Sequence, residues 1–146
     1  LGHRLLAERM ATPICLDESI LSADSAESLI DYGACEIVNI KAGRVGGYLA
    51  AKAIHDRCAQ LGVPVWCGGM VETGIGRAAN IAMASLPGYT IVGDISESER
   101  FYSRDITPPF KLEAGQMRVP TGAGIGVEVD EAAINELQHW KCVIEA

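Results

Sequence analysis

The chain has 146 residues and a formal net charge of −7, and 49% of its residues are hydrophobic while 21% are charged. This length allows one ordinary domain with a real core, and the composition is typical of a soluble globular protein. The excess of negative charge argues against nucleic acid or an anionic membrane as the partner.

Four short apolar runs rich in β-branched residues recur along the chain, and helical patterns lie between them. The predicted strands are residues 12–16, 36–40, 64–67 and 90–92, and the predicted helices are residues 23–32, 48–61 and 73–85. Strands that alternate with helices at about 25 residues per unit indicate βα repeats around a parallel sheet. The chain opens at Leu1 rather than Met, within a helical pattern, so we expect it to be part of a longer protein.

The segment that follows Asp94 does not continue this alternation of strands and helices. Its predicted features are a polar loop at 96–104, a hairpin at 110–119 around Ala114 and Gly115, a glycine-rich turn at 122–126 and a final helix at 130–140 capped by Asp130. We therefore divide the chain into a βα part, residues 1–100, and a tail, residues 101–146.

The five cysteines have no C-x-x-C spacing, and their odd number argues against a complete disulfide framework. Reduced thiols are expected in a reducing compartment, so the sequence favours the cytoplasm. No apolar stretch in the sequence reaches the length that a membrane span needs.

Polar residues and glycines follow each predicted strand at its carboxyl end. They are Asp17 and Glu18, then Lys41, then Gly68 and Gly69 (followed by the apolar Met70), and finally Gly93 and Asp94. In parallel α/β barrels, active sites are built from these ends of the strands. Alternation along a strand places Lys41 on the face of Asn39, and Asp17 on the corresponding face of its own strand. The residues expected to face the surrounding helices are Ile14, Leu16, Val38 and Ile40. We therefore expect a carboxylate and an amine to converge at one mouth of the sheet.

Asp17 and Lys41 each have a structural and a chemical interpretation. A carboxylate after a strand can cap a helix or fill a surface turn, but it can also be a hard oxygen ligand for Mg²⁺. A lysine at a strand end can extend its amine to the surface, or it can act as a general base where burial and a nearby cation favour its neutral form. The residue types alone leave these alternatives open.

Six sequence segments in a fixed order narrow the possible roles of Asp17 and Lys41. They are TPICLDES at 12–19, NIKAGRVGG at 39–47, PVWCGGMVETGIGRAAN at 64–80, GDIS at 93–96, DIT at 105–107 and VPTGAGIGV at 119–127. With these segments the chain resembles, over nearly its whole length, the C-terminal barrel portion of enolase-superfamily enzymes. The block at 64–80 is the most specific, and it is similar to the o-succinylbenzoate synthase and N-acylamino acid racemase group.

The resemblance implies an α/β fold, the C-terminal part of a (β/α)7β TIM-type barrel with about four parallel strands. Residues 1–100 would form half of the barrel, strands five to eight of the family, and residues 101–146 would return toward a capping domain. The implied reaction is the removal of a proton α to the carboxylate of a small substrate, with Mg²⁺ or Mn²⁺ as cofactor. Family members use it for dehydration in menaquinone biosynthesis and for racemisation of N-acylamino acids.

The resemblance also implies roles for particular residues. Lys41 would be the catalytic lysine, as a base or as an electrostatic partner, and Asp17 would be a metal ligand. Glu18 would be a carboxylate next to the metal ligands without binding the metal itself, and Asn39 would be a polar neighbour inside the barrel. A loop would contact the distal part of the substrate through backbone N–H groups and apolar side chains; its residues are Gly68, Gly69, Met70 and Val71.

Only part of such a site fits in this chain. The family uses three metal ligands and two catalytic lysines, and the chain would hold one of each. A lone carboxylate binds Mg²⁺ weakly, so we expect the chain by itself to be inactive. Exposed sheet edges and an apolar interior predict a homo-oligomer, or association with the missing half of the barrel.

Other functions are compatible with the same residues. A dipeptide epimerase or a cycloisomerase of this superfamily would share the Asp and the Lys at the strand ends. Lys41 could instead form a Schiff base in an aldolase-like barrel, which borohydride trapping with a carbonyl substrate would detect. A non-catalytic half barrel is a further alternative, which the mass and oligomeric state of the purified chain would test.

Overall fold

A small parallel sheet lies at the centre of the fold in the computed structural model, which describes residues 2–144. Its strands are β1 (Cys15–Leu16), β2 (Ile37–Ile40) and β3 (Val65–Cys67), in the spatial order β1-β2-β3. The register places Asn39 of β2 opposite Trp66 of β3. Because the strands run in the same direction, their carboxyl ends meet at one edge of the sheet.

Helices accompany the sheet. They are α1 (Gly2–Ala7), α2 (Ala23–Asp31), α3 (Ala42–Val45), α4 (Tyr48–Leu61), α5 (Gly74–Ala84) and α6 (Glu131–Leu137), with a short 3₁₀ helix at Ser98–Arg100. Of these, α2, α3 and α4 connect the strands. Helix α2 begins with a capping box between Ser22 and Ser25, and α4 ends at Gly62 in the left-handed conformation. The predicted βα repeats are therefore present. Within residues 2–144, we find no helix with the length and apolar character that crossing a membrane requires.

The hydrophobic core fills the space between the sheet and helices α2 and α4. Leu16, Val38 and Ile40, which were expected to face the helices, are buried in one cluster. The helix residues of this cluster include Ala26 from α2 and Ala51, Ile54 and Cys58 from α4. Burial of one Val, Leu or Ile side chain contributes about 1.5–3 kcal/mol. The cluster therefore holds β1 and β2 in place and fixes the direction in which the side chains at their ends emerge.

The prediction of a strand at residues 90–92 is wrong. Tyr89 makes a single parallel bridge with Val65, and the Ile91 N–H donates to the Val65 carbonyl at 3.4 Å. Val92 is 93% exposed, so its side chain lacks the packing that stabilises a strand. The sheet of the described residues has three strands where about four were expected, although this segment still runs beside β3.

The tail is less regular than predicted. The hairpin expected at 110–119 is limited to one antiparallel bridge at the turn around Ala114 and Gly115, both in the left-handed conformation. Helix α6 is capped by Asp130, as predicted. It ends earlier than predicted, at Leu137, because the described residues beyond it are exposed and bury no apolar face.

A buried charged cluster joins the tail to helix α5. Arg77 is fully buried, and its Nη1 lies 3.3 Å from Ser98 Oγ and 3.5 Å from Asp105 Oδ2. Ser98 Oγ donates to the same carboxylate oxygen at 2.7 Å. The second oxygen of Asp105 accepts the N–H of Gly74, the first residue of α5, at 2.9 Å. Since a buried charge without its partner is costly, Asp105 fixes the tail beside the start of α5.

Candidate active site

A carboxylate and an amine meet at the carboxyl edge of the sheet. Asp17 follows β1, Lys41 follows β2, and Lys41 Nζ lies 2.9 Å from Asp17 Oδ2. Both side chains are partly buried, with 27% of Asp17 and 19% of Lys41 exposed. They form a charge-assisted hydrogen bond. The structure thus brings together the two side chains that strand alternation places at one mouth.

Arg44 is a third member of this cluster, and sequence reasoning missed it. It lies in the short helix α3, which was not predicted because the surrounding glycines give the segment the composition of a loop. Its guanidinium donates from Nη1 to Asp17 Oδ1, from Nε to the Ile20 carbonyl at 3.0 Å and from Nη2 to the Asn39 carbonyl at 2.8 Å. Arg44 therefore joins the turn after β1 to β2 and orients the carboxylate. The only available signal was its position three residues after Lys41, about one helical turn on.

Opposing effects act on the Asp17 carboxyl group. Burial favours its neutral form and by itself raises the pKa, but the hydrogen bonds from Lys41 and Arg44, together with their positive charges, outweigh burial. The net result is a pKa below the ordinary value of an aspartate. Asp17 is therefore ionised at neutral pH and lies between two cationic side chains.

The lowered pKa of Asp17 predicts a loss of stability in acid. The unfolded chain has the ordinary pKa of 3.8 at this position, so the stabilisation is fully present above that pH and is lost as the pH falls through the lower pKa of the folded state. We expect the free energy of unfolding of the wild type to fall more steeply than that of Asp17→Asn between about pH 5 and pH 2. Urea titrations at several pH values measure both curves, and parallel curves would contradict the assignment.

Asn39 and Gly68 pack against the Lys41 side chain. Asn39 is buried, with 1% exposed, and its Oδ1 has no hydrogen-bond partner among residues 2–144. A Cβ atom on Gly68 would lie 2.4 Å from Asn39 Oδ1 and 2.6 Å from Lys41 Cε. Glycine just after β3 therefore leaves the space through which Lys41 reaches Asp17.

Gly68→Ala is expected to destabilise the chain by about 1–3 kcal/mol, because the added methyl group overpacks a buried site. Gly43→Ala is the matched control, since a Cβ atom there meets nothing within 4 Å and alanine favours the helix in which it lies. Urea denaturation of both variants measures the difference. Equal stability of the two variants would show that Asn39 and Lys41 move aside without cost.

The 68–71 loop after β3 is held by hydrogen bonds within the chain. Three of its backbone N–H groups donate internally: Gly68 to the Ile40 carbonyl at 3.0 Å, Gly69 to Asp94 Oδ1 at 2.6 Å and Met70 to Glu72 Oε2. The family resemblance implies that backbone N–H groups of this loop contact substrate, but these three already have acceptors within the chain. Met70 and Val71 are 58% and 64% exposed as whole residues, so the loop can still offer apolar contacts.

A cavity of about 270 Å³ opens beside the 68–71 loop. Its walls are Gly69, Met70 and Val71 on the loop, and Asp94, Ser96, Arg100 and Phe101 from the segment that follows β3 and α5. The Tyr102 hydroxyl donates to the Val71 carbonyl at 3.0 Å and so ties the loop to this segment. A space of this size suits one end of a small molecule.

Asp17 fits a metal site in part. Its carboxylate oxygens are hard ligands of the kind that Mg²⁺ prefers, although one accepts from Lys41 and the other from Arg44. Glu18 is exposed in the turn after Asp17 and makes no hydrogen bond or ion pair to this cluster within the described residues. Residues 2–144 hold no group of three or more His, Cys, Asp or Glu side chains that could bind a metal ion. A cation at Asp17 therefore needs ligands from outside the described residues.

Comparison with known proteins decides the family. The family model described as "Enolase C-terminal domain-like" matches residues 1–133. The chain belongs to this family. Its three parallel strands are part of an α/β barrel of the enolase superfamily, as the resemblance of the sequence segments predicts.

Two relatives in the family match almost the whole chain. An N-succinylamino acid racemase from Amycolatopsis sp is 64% identical over 141 residues, which are 97% of this chain and 38% of the relative. An o-succinylbenzoate synthase from Geobacillus stearothermophilus is 51% identical over 139 residues, which are 94% of this chain and 37% of the relative. The chain thus spans well under half the length of the relatives that it matches.

Solved structures agree with this assignment. An enolase-superfamily protein from Enterococcus faecalis V583 superposes with a TM-score of 0.89 at 42% identity, over 93% of this chain and 37% of that one. The muconate lactonizing enzyme from Pseudomonas putida superposes with a TM-score of 0.84 at 28% identity, over 92% of this chain and 38% of that one. The predicted membership of the enolase superfamily is confirmed.

Proposed function

We propose that this chain contributes Lys41 and Asp17 to an active site that removes the proton α to a carboxylate. The enzyme would be an N-succinylamino acid racemase, an o-succinylbenzoate synthase, or a protein with both activities. The observation that carries the proposal is the 2.9 Å contact between Lys41 Nζ and Asp17 Oδ2 at the carboxyl edge of two neighbouring parallel strands. Identities of 64% to a racemase and 51% to a synthase support it.

The chemistry requires positive charge near the substrate carboxylate. Removal of the α-proton places a second negative charge on the carboxylate oxygens, which is prohibitive without a cation beside them. A Mg²⁺ ion held in part by Asp17 would supply that charge. Lys41 takes the proton when it is neutral, or stabilises the developing charge when it is an ammonium. Arg44 keeps the carboxylate of Asp17 in a fixed orientation.

The two candidate reactions share this first step. In racemisation a proton is delivered to the opposite face of the same carbon, and the second catalytic lysine that the family resemblance implies, outside this chain, would be its donor. In dehydration the hydroxyl group on the neighbouring carbon leaves, and with the addition of a proton it becomes water. Both reactions use a small carboxylate substrate, and the exposed Met70 and Val71 side chains would contact its distal part. The N-succinylamino acid is the first substrate to test, since the racemase has the higher identity of the two relatives.

The experiment compares the isolated chain with a complete enzyme, which is the full-length protein that carries this chain or the chain joined to the unmatched part of the Amycolatopsis relative. Because the described residues hold one metal-ligand candidate and no metal cluster, we expect no turnover from the chain alone. The complete enzyme is expected to turn over with Mg²⁺. Optical rotation of an N-succinylamino acid measures racemisation. The substrate of the dehydration is a cyclohexadiene, and the change in its absorbance measures that reaction. Turnover by the isolated chain contradicts the expectation that the metal site needs ligands from outside it, and the lack of both activities in the complete enzyme contradicts the proposed function.

We also propose that the chain associates through β1, either with a second copy or with the missing part of the barrel. The support is that β1 is an edge strand of the sheet formed by the described residues, and an edge strand presents backbone groups that another strand can pair with. Sedimentation of the isolated chain is expected to reveal a dimer or larger species, and a monodisperse monomer that does not bind the remainder of the enzyme would contradict this. We propose the cytoplasm as the location, which is supported by five free cysteines.

A further inference from the structure

Glu72 directly follows the 68–71 loop and folds back onto it. Its Oε2 accepts the backbone N–H of Met70, the residue at the middle of the loop. Its other oxygen, Oε1, lies 3.4 Å from the Nδ2 of Asn80, which is on the second turn of α5. One carboxylate thus connects the loop to a helix that the core holds in place.

The connection continues beyond Asn80 to a second helix. Asn80 is buried, with 8% exposed, and its Oδ1 accepts the hydroxyl of Tyr48, the first residue of α4, at 3.3 Å. Burial raises the pKa of the Tyr48 hydroxyl, and the nearby Cys67 and Glu72 groups raise it further. Tyr48 therefore stays protonated and able to donate at neutral pH. The set of Tyr48, Asn80, Glu72 and the Met70 N–H forms an unbroken hydrogen-bond chain from two helices to the loop.

Gly76 leaves the space that Glu72 occupies. A Cβ atom at this position would lie 3.0 Å from Glu72 Cβ and 3.3 Å from Glu72 Cγ. Contacts this short force the neighbouring side chain to move by a few tenths of an ångström. Since Gly76 is within helix α5, where alanine is otherwise favoured, a glycine here is explained by the position of Glu72.

We propose that Glu72 is a positioning residue. Asn80 and Tyr48 anchor its carboxylate, and the carboxylate in turn holds the exposed Met70 and Val71 side chains in the conformation that receives the distal end of the substrate. This inference rests on the proposed function, in which the 68–71 loop contacts substrate. Glu72 itself does not touch the reacting atoms in this arrangement. Its loss should therefore weaken substrate binding while leaving the proton transfer at Lys41 unchanged.

The test uses the complete enzyme with an N-succinylamino acid and compares Glu72→Leu with Glu72→Gln. Leucine removes both acceptors, whereas glutamine still accepts the Met70 N–H through its carbonyl and donates to Asn80 once that amide turns. A lost hydrogen bond to a charged group corresponds to about a tenfold change in an equilibrium. We expect Glu72→Leu to raise KM about tenfold with kcat within about twofold, and Glu72→Gln to restore most of the wild-type KM. Glu36→Gln is the control, because Glu36 is exposed and lies at the amino end of β2, whereas the 68–71 loop follows the carboxyl end of β3.

The outcomes separate this proposal from the proposed function. An inactive wild-type enzyme contradicts the proposed function. An active wild type with an unchanged KM in Glu72→Leu overturns the positioning role, and so does a fall in kcat at constant KM. An equal loss in Glu72→Gln and Glu72→Leu overturns it too, because charge rather than hydrogen bonding would then matter. If Glu72→Leu does not fold, Gly76→Ala keeps the carboxylate but displaces it. A KM that is then unchanged overturns the proposal, and a rise of about threefold supports it.

Discussion

Replacing Lys41 by methionine in the complete enzyme is expected to lower kcat by about a thousandfold or more, since a positioned acid–base group contributes about 10²–10⁴ in rate. Methionine keeps much of the volume of the side chain but removes the amine that lies 2.9 Å from Asp17. The measurement is the rate of racemisation of an N-succinylamino acid at saturating substrate. The control is Lys52→Met, because Lys52 is an exposed residue paired with Asp56 four positions along α4.

An arginine at position 41 separates the two roles that the structure allows for the amine. Arginine stays charged at all working pH values and cannot take a proton. If Lys41 is the base, Lys41→Arg is as inactive as Lys41→Met. If its charge is what matters, Lys41→Arg keeps part of the dehydration activity. A Lys41→Met enzyme with more than about a tenth of the wild-type kcat would contradict either role, since that loss is under ~1.4 kcal/mol.

Asp17→Asn is expected to lower kcat/KM of the complete enzyme by about a thousandfold, because a metal ion contributes several kcal/mol to transition-state stabilisation and each 1.36 kcal/mol is tenfold in rate. The neutral amide is a poorer ligand for Mg²⁺, and it leaves Lys41 and Arg44 without the carboxylate between them. Rates measured over a range of Mg²⁺ concentrations should show half-saturation moved to higher Mg²⁺.

The control for this substitution is Asp31→Asn, since Asp31 is exposed at the end of α2. It should leave both the rate and the Mg²⁺ dependence unchanged. If Asp17→Asn retains a rate within about threefold of the wild type with the same Mg²⁺ dependence, Asp17 does not hold the metal ion, because removal of a true ligand costs more than that.

The meeting of Asp17 and Lys41 could be predicted because it depends on local periodicity. Buried Leu16, Val38 and Ile40 alternate with residues of the other face, so the residue after each strand has a defined direction. Parallel strands then bring the ends together without any further information. The metal and catalytic roles of these residues are implied by the family resemblance and stay predictions until the substitutions above are made.

Arg44 could not be found in this way, because its role exists only in the folded chain. Two of its acceptors are the backbone carbonyls of Ile20, in the turn after β1, and Asn39, in β2, and a backbone carbonyl carries no signal in the sequence. The same reason applies to the 68–71 loop. Glycines indicate that backbone N–H groups are accessible, but they do not tell which carboxylates, here Asp94 and Glu72, accept them.

The prediction of a strand at 90–92 is wrong for a related reason. Its β-branched residues favour an extended conformation, but a strand also needs a partner on its outer side or a buried face. Within residues 2–144, the β-bridge to Val65 of β3 is made by Tyr89, just before the segment, and the Val92 side chain is exposed. Propensity alone therefore predicted an element that tertiary packing does not complete.

The ion pair between Arg77 and Asp105 has a consequence for engineering this barrel. Anyone who transplants α5 and its preceding loop into a homologous scaffold, in order to exchange substrate preference, would cut the chain near residue 100 if guided by the βα pattern alone. That cut transfers the buried Arg77 guanidinium without Asp105, the carboxylate that pairs with it in this chain. A junction beyond Thr107 transfers helix α5, Asp105 and Thr107 together and so preserves their contacts.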